Sequence, residues 1–276
     1  MNIGIYGKKM KLSIITINRN NADGLKKTIE SVANQNYKDF EYIVIDGAST
    51  DNSVEVIKSY INIVSYYISE SDKGVFDAMN KGIKHATGEF LLFLNSGDYF
   101  YNDNVLLNVI EELNEDIVIG KCNIIKEGEI VYITNSFNRI TLNTLIMNSL
   151  PHQAMFFKRT LFDKYGLYRD DLKLMGDWEF CIRTIILENV KYKNIDTIIA
   201  DYNLEGISSQ EININKMKKE KDFVLNAIPV LLNILPDYYD FYSQQQMLKP
   251  IKWANNNRVI SKIINFVYSL AVLFNR

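Results

Sequence analysis

Cysteine and histidine are scarce in this sequence, two of each in 276 residues. Cys122 and Cys181 have no metal-type spacing, and His85 and His152 make no histidine pair, so neither a thiolate nor an imidazole metal cage is encoded. No secretory signal pattern stands at the start, and with so few cysteines the expected location is a reducing cytoplasm. The formal net charge is only −2, which removes the general field that draws proteins to nucleic acid. No G-x-G-x-x-G or Walker-type loop follows any apolar run, which argues against P-loop and dinucleotide sites. Internal repeats and low-complexity segments are absent as well. What charge there is lies unevenly: residues 211–276 carry nine Lys/Arg against five Asp/Glu, a net +4 set against −6 for the rest. A basic tail on an acidic body points to a separate partner for the tail.

What is present is a fourfold pattern in the first hundred residues. Short apolar runs at 12–17, 42–45, 64–68 and 90–94 each end in polar residues: Asn18-Arg19, Asp46, Glu70 with Asp72, and Asn95-Ser-Gly-Asp98. Runs this short and rich in Ile, Val, Tyr and Phe predict buried strands, and the stretches between them have helical spacing. Leu25, Ile29, Val32 and Ala33 share one helical face, capped by Asn21 or Asp23. Val54, Ile57 and Ile61 share another, and Ala78, Met79, Ile83 and Ala86 a third that stops near Gly88. Alternation of this kind predicts an α/β fold with a mainly parallel, Rossmann-like sheet, whose strands all end along one edge. Arg19, Asp46, Asp72 and Asp98 should therefore meet there.

The second half reads as mixed. A helix through Leu106, Val109, Ile110 and Leu113 precedes a strand at 117–119. The runs 123–125 and 130–133 flank Glu127-Gly128 as a hairpin, strands are expected at 154–157 and 197–202, and a helix at 177–187. Beyond Glu211 the pattern is helical, broken at Pro229, Pro236 and Pro250. The expected organisation is a body at 1–210 and a helical appendage at 211–276. The apolar stretch 259–274 is shorter than the roughly 20 residues a membrane span needs. It suits an interfacial helix, with Lys249, Lys252 and Arg258 nearby to meet anionic lipid, or equally a helix closing the core or a homodimer interface.

Several polar residues carry two readings. Asp98 follows a buried strand and a glycine; it can hold a divalent cation that neutralises phosphate, or serve as a turn aspartate. Asp46 can accept hydrogen bonds from sugar hydroxyls or organise its Gly/Ser/Thr loop, whereas Asp51 fits a helix cap better. Arg19 and Lys73 can supply charge to a diphosphate or stand as solvated cations. Asp177, after Gly176, can act as a base toward an attacking hydroxyl or cap its helix. Glu179 and Arg183 have the spacing of a helix-face ion pair. His152 follows Pro151 just before a strand, a site-like position, while His85 lies on a helix surface.

Six segments in order carry a wider resemblance. They are Ser13-Ile-Ile-Thr-Ile-Asn18, Val44-Ile-Asp-Gly-Ala-Ser-Thr-Asp51, Asp72-Lys-Gly-Val-Phe-Asp-Ala-Met-Asn-Lys-Gly82, Gly88-Glu89 leading to Asn95-Ser-Gly-Asp98, Pro151-His-Gln153, and Met175-Gly-Asp-Trp-Glu-Phe180 with Arg183. Together they resemble a family 2 glycosyltransferase of the GT-A fold over residues 11–210, of the type that builds bacterial surface polysaccharide. The resemblance implies inverting transfer of a sugar from a nucleotide diphosphate, with UDP the commonest carrier, to a glycan or lipid-linked glycan hydroxyl. It implies a nucleotide-sugar pocket lined by Thr16, Asn18, Arg19, Asp46, Asp72, Lys73, Asn80 and Asn95, and Mn²⁺ or Mg²⁺ held by Asp98. Asp177 would be the catalytic base, with His152, Gln153, Glu179 and Arg183 on the acceptor or phosphate side. The enzyme would then work in the cytoplasm or peripherally on the inner face of the membrane. The sequence departs from the family pattern twice: Asn95 and Gly97 leave Asp98 as a solitary acid, and Gly176 stands where a second acid often precedes the base. Two alternatives remain open at this point, a nucleotide-sugar binding module with a degraded metal site and a sugar-phosphate nucleotidyltransferase.

Overall fold

The computed structural model describes residues 10–204 and 211–232. Strands β1 (Leu12–Asn18), β2 (Phe40–Asp46), β3 (Tyr66–Ser69) and β4 (Phe90–Phe93) pair in parallel, with β1 between β2 and β4 and β3 beyond β2. All seven residues of β1 and all four of β4 are buried, as strands covered on both faces must be. Helices α1 (Ala22–Ala33), α2 (Ser53–Ser59) and α3 (Val75–His85) form the crossovers. Leu25, Thr28, Ile29 and Val32 turn one face of α1 to the core, and Asn21 caps it by accepting from the Gly24 amide at 3.2 Å. The chain thus reverses direction across the sheet between β1 and β4, which opens a crevice at the strands' carboxyl ends.

The second half makes the sheet mixed. The ten-residue strand β6 (Ile117–Lys126) turns at Glu127-Gly128 into β7 (Glu129–Ile133). The short strand β8 (Met155–Lys158) enters antiparallel between β4 and β6. Strand β9 (Tyr192–Asn203) lies parallel to β6, and the two-residue strand β5 (Tyr99–Phe100) closes the edge against β9. The resulting order is β3-β2-β1-β4-β8-β6-β9-β5, with β7 beside β6. The runs expected as separate strands at 117–119 and 123–125 are therefore one strand, with irregular pairing to β9 at 119–122.

Helix α4 (Val105–Val109) tightens into a 3₁₀ turn at Ile110–Glu112, and α5 (Leu142–Met147) and α6 (Thr160–Tyr165) were not expected. The helix expected at 177–187 is α7 (Gly176–Cys181) followed by a π-helical stretch at Ile182–Leu187. Thr184 Oγ1 donates to the Phe180 carbonyl at 2.7 Å there, drawing that carbonyl toward a side chain. An aromatic nest fixes α6 and α7 against the sheet: Phe162 stacks on Phe180 with ring centroids 4.5 Å apart, and Phe157, Phe93 and Tyr168 meet them edge-on.

Backbone contacts group the chain into two compact units, Met1–Lys221 and Asp222–Arg276. Helix α8 (Glu211–Asn226) contributes residues to both, and α9 (Pro229–Leu232) belongs to the second. The tail at 259–274 lies outside the described residues. Among the described residues no helix is long and apolar enough to cross a membrane.

Candidate functional site

The first wall of the crevice is built by neighbouring strand ends. Register pairs Asn18 with Asp46 and Asp46 with Ser69, so three consecutive strands deliver their last side chains to one place. Asp46 is completely buried. Its Oδ1 accepts from Asn18 Nδ2 (2.8 Å) and Ser49 Oγ (2.5 Å), and its Oδ2 from the Ser49 amide (2.9 Å) and Ser69 Oγ (2.6 Å). Burial alone would raise its pKa, but these donors outweigh burial and hold the carboxyl below the ordinary value. Asp51 accepts from the amides of Ala22 (2.9 Å) and Ser53 (3.0 Å), tying the starts of α1 and α2 together. Gly47 marks where Arg19 and Asp72 converge: a Cβ there would lie 2.4 Å from Asp72 Oδ2 and 3.4 Å from Arg19 Cδ. Arg19 is exposed at this point, and Asp72 is half-buried with its other oxygen on the Gly74 amide at 2.9 Å.

The second wall is assembled from distant segments. Thr28 of α1 holds the turn after β4, donating to the Asp98 carbonyl (2.7 Å) and accepting from the Gly97 amide (3.0 Å). The turn presents Asp98, only 6% exposed, toward Gln153 and His152. Burial pushes the Asp98 carboxyl up to about 7, against the opposing pull of the His152 charge and of hydrogen bonds from Gln153 and the Asn203 amide. His152 Nδ1 lies 3.3 Å from Asp177 Oδ2, and its Nε2 lies 3.2 Å from Asn95 Nδ2. With Nδ1–H on Asp177, Nε2 is left to accept from Asn95. Burial would lower the His152 pKa, but the Asp177 hydrogen bond and the charges of Asp177 and Asp98 raise it overall. Asn95 Oδ1 and Asn18 Oδ1 are buried without a protein partner, a costly state that a ligand or cation would relieve.

Asp177 stands in the first turn of α7, and Gly176 beside it has a steric cause. A Cβ at 176 would come within 2.8 Å of the Phe76 ring. Trp178 anchors the same turn by donating Nε1–H to the Leu145 carbonyl at 2.7 Å. Next to His152 and Asp177 lies a small hollow walled by Leu145, Ser149, Leu150, Met155, Trp178 and Cys181.

Five residues expected at the site stand elsewhere. Thr16 is fully buried, and its hydroxyl donates to the Leu94 carbonyl at 2.7 Å and meets Tyr42 Oη at 3.0 Å, so it joins strands within the core. Asn80 is spent on the Tyr168 backbone, donating to its carbonyl (2.8 Å) and accepting its amide (3.0 Å). Lys73 points outward, 3.9 Å from Asp170. Glu179 and Arg183 form a paired clasp at 3.1 and 2.8 Å, and the guanidinium also donates to the carbonyls of Tyr165, Gly166 and Leu167. That pair braces the loop after α6. Conversely Thr28, Ser49 and Ser69 shape the site without having been singled out. Ser49 lay in the turn-rich run after Asp46, but nothing in the spacing marked Thr28.

Among the described residues no three His, Cys, Asp or Glu side chains converge to hold a metal. The second wall nevertheless offers the Asp98 carboxylate and the unpartnered Asn95 Oδ1, both hard oxygen donors. That set is too small to cage Mg²⁺ or Mn²⁺ alone, and it fits a cation whose remaining ligands are phosphate oxygens and water.

Comparison with known proteins shows the family and the fold. The family model described as Glycosyl transferase family 2 matches residues 13–165. An uncharacterized glycosyltransferase of Mycobacterium tuberculosis is 33% identical over 204 residues, covering 72% of this chain and 77% of its own. A Mycobacterium bovis protein named PGL/p-HBAD biosynthesis glycosyltransferase is 31% identical over 215 residues, covering 75% and 82%. Among solved structures, S. aureus TarS 1-349 in complex with UDP-GlcNAc superposes with a TM-score of 0.60 at 24% identity, over 70% of this chain and 58% of that one. The mannosyltransferase PcManGT of Pyrobaculum calidifontis, solved with GDP-Man and Mn²⁺, gives 0.54 at 17% identity over 71% and 57%. This chain thus spans less than two thirds of those solved chains, and the likeness to them is one of fold, the mixed α/β architecture of GT-A glycosyltransferases.

Proposed function

Because this chain belongs to glycosyl transferase family 2, we propose that it moves a sugar, with inversion, from a UDP-linked donor to a hydroxyl of a glycan or lipid-linked glycan in surface-polysaccharide synthesis. The observation that carries this reading is the meeting of Asp98, His152 and Asp177 from three distant segments around one crevice, opposite the Asn18–Asp46 strand ends. The complexes of TarS with UDP and UDP-GlcNAc support the choice of donor class. Family membership sets aside the nucleotidyltransferase alternative.

In this scheme the nucleotide lies along the strand ends, with Arg19 and Asp72 at the rim and the diphosphate reaching toward Asp98. A divalent cation held by Asp98 and Asn95 would neutralise charge on the departing diphosphate, where stabilisation accelerates the step most. Asp177 takes the proton of the acceptor hydroxyl as its oxygen bonds the anomeric carbon and the bond to the diphosphate breaks. His152, held on Asp177 and Asn95, fixes the carboxylate's orientation. Membrane association through the tail at 259–274 belongs to the same proposal, since a lipid-linked acceptor lies at a membrane surface. So does the reading of residues 211–276 as a helical extension of the catalytic body.

The test is nucleotide release from a panel of nucleotide sugars, with and without Mn²⁺, in wild type and Asp177→Asn. The expected result is cation-stimulated release, lowered at least ~10²-fold in the variant with donor binding retained. Donor binding with no turnover across a broad acceptor panel would instead favour a binding module. Wild-type turnover in Asp177→Asn would remove the base assignment.

A further inference from the structure

Asp177 follows a loop whose first half is pinned by Arg183 and Asn80 but whose last backbone amides are held by nothing close in sequence. Ten residues separate the end of α6 at Tyr165 from the start of α7 at Gly176, and Met175 at the N-cap of α7 makes no side-chain cap hydrogen bond. The anchor comes from α8, more than forty residues along the chain. Glu220 Oε1 accepts the Lys173 amide at 2.9 Å, and its Oε2 accepts the amides of Leu174 and Met175 at 2.9 and 3.0 Å. Three consecutive N–H groups thus converge on one carboxylate, a charge-assisted arrangement roughly twice as strong per bond as a neutral one. The next residue, Lys221, places its ammonium 5.2 Å from the centre of the Trp178 ring. Neighbouring residues of α8 therefore grip the chain on both sides of Asp177. The same loop is tied to the donor side, since Lys173 Nζ donates to the Lys73 carbonyl at 2.9 Å.

We propose that Glu220 is a positioning residue for Asp177: by clamping the 173–175 amides, it sets where the base meets the acceptor hydroxyl. This rests on the assignment of Asp177 as that base. A misplacement of about 1 Å at a reacting group costs on the order of 10²-fold in rate, so loss of the clamp should appear in kcat. Glu220 touches none of the strand ends, and the loop's one link to the proposed donor side runs through the Lys173 side chain rather than its clamped amide, so donor binding should change little.

The experiment is a double-mutant cycle in the full chain with Glu220→Ala, Glu220→Gln and Asp177→Asn. It reads kcat, donor KM and the donor dissociation constant by calorimetry. Expected is a ~10- to 100-fold fall in kcat for Glu220→Ala with donor KM and dissociation constant within about 2-fold. In the Asp177→Asn background the same substitution should do almost nothing, because the group it positions is gone. Glu220→Gln keeps one oxygen acceptor and should fall between, and it carries the cycle if the alanine variant does not fold. Wild-type kcat in both Glu220 variants, losses that simply multiply with Asp177→Asn, or donor affinity falling in step with kcat would each overturn the proposal. If Asp177→Asn itself turns over normally, the base assignment fails and Glu220 loses its role with it. If Asp177→Asn is crippled while the Glu220 variants are normal, only the clamp is refuted.

Discussion

The two walls of the crevice satisfy their polar groups in opposite ways. On the strand-end wall every acceptor position of Asp46 is filled by its own chain, by Asn18, Ser49 and Ser69. On the facing wall Asp98 is buried with its carboxyl pushed up to about 7, and Asn95 keeps a buried oxygen unpaired. Around its acid the first wall resembles a finished piece of scaffold, with Asn18 Oδ1 the buried oxygen left unpaired there. The second stores unfavourable electrostatics that a bound cation would relieve, the kind of perturbation that clusters at functional sites. Strand-end position alone, then, does not separate the acid that builds the site from the acid that works in it. Partner count does: Asp46 has four donors, whereas Asp98 has only Gln153 and the Asn203 amide.

That contrast can be broken by mutation. The largest effect is expected at Asp98: Asp98→Ala should lower transfer by ~10³-fold or more, since it removes the carboxylate proposed to meet the cation. Its melting temperature should stay at or above wild type, because the substitution relieves a buried, destabilised charge. A marked fall in melting temperature would move Asp98 to the scaffold side.

Asp46→Ala should do the reverse. Stability should fall by about 3 kcal/mol, because four donors lose a charged acceptor, and transfer should fall less than in Asp98→Ala, through a disordered donor side. The pH dependence has a definite sign. The folded-state pKa of Asp46 is depressed, so its contribution is full above the unfolded carboxyl value, roughly 3.9, and is lost as pH falls through the lower folded value. Denaturant melts of wild type and variant should therefore converge in acid; a gap that persists at low pH would refute the assignment. The smallest effect belongs to Arg19, exposed at the rim: Arg19→Ala should raise donor KM roughly 5-fold with no change in melting temperature, and the difference should shrink in high salt. An unchanged KM at low salt would take Arg19 out of donor binding.

Much of the strand-end wall was legible in the sequence because it is local. Each of its side chains sits at the end of an apolar run, and parallel pairing carries them to one edge without any further information. The hairpin at Glu127-Gly128 was legible for the same reason. The antiparallel insertion of β8 between β4 and β6 was not, since four residues of apolar pattern do not state their neighbours. Thr16 and Asn80 matched motifs yet proved to be structural because their partners are backbone groups, Leu94 and Tyr168, which no side-chain pattern records. Thr28 escaped notice for the converse reason, its target being the backbone of a turn about seventy residues away. Asp98, His152 and Asp177 were each singled out from motif position. Their contacts with one another were visible only in three dimensions.

The ring of Phe76 pressed against Gly176 also limits how this protein can change. A variant with an acid at 176, such as Gly176→Asp, would drive a new side chain into that ring and weaken the fold before gaining anything. The ring has to shrink first, as in Phe76→Ala or Phe76→Leu, and that step is costly by itself. The two positions are therefore sterically coupled, and the size of one limits what the other can become.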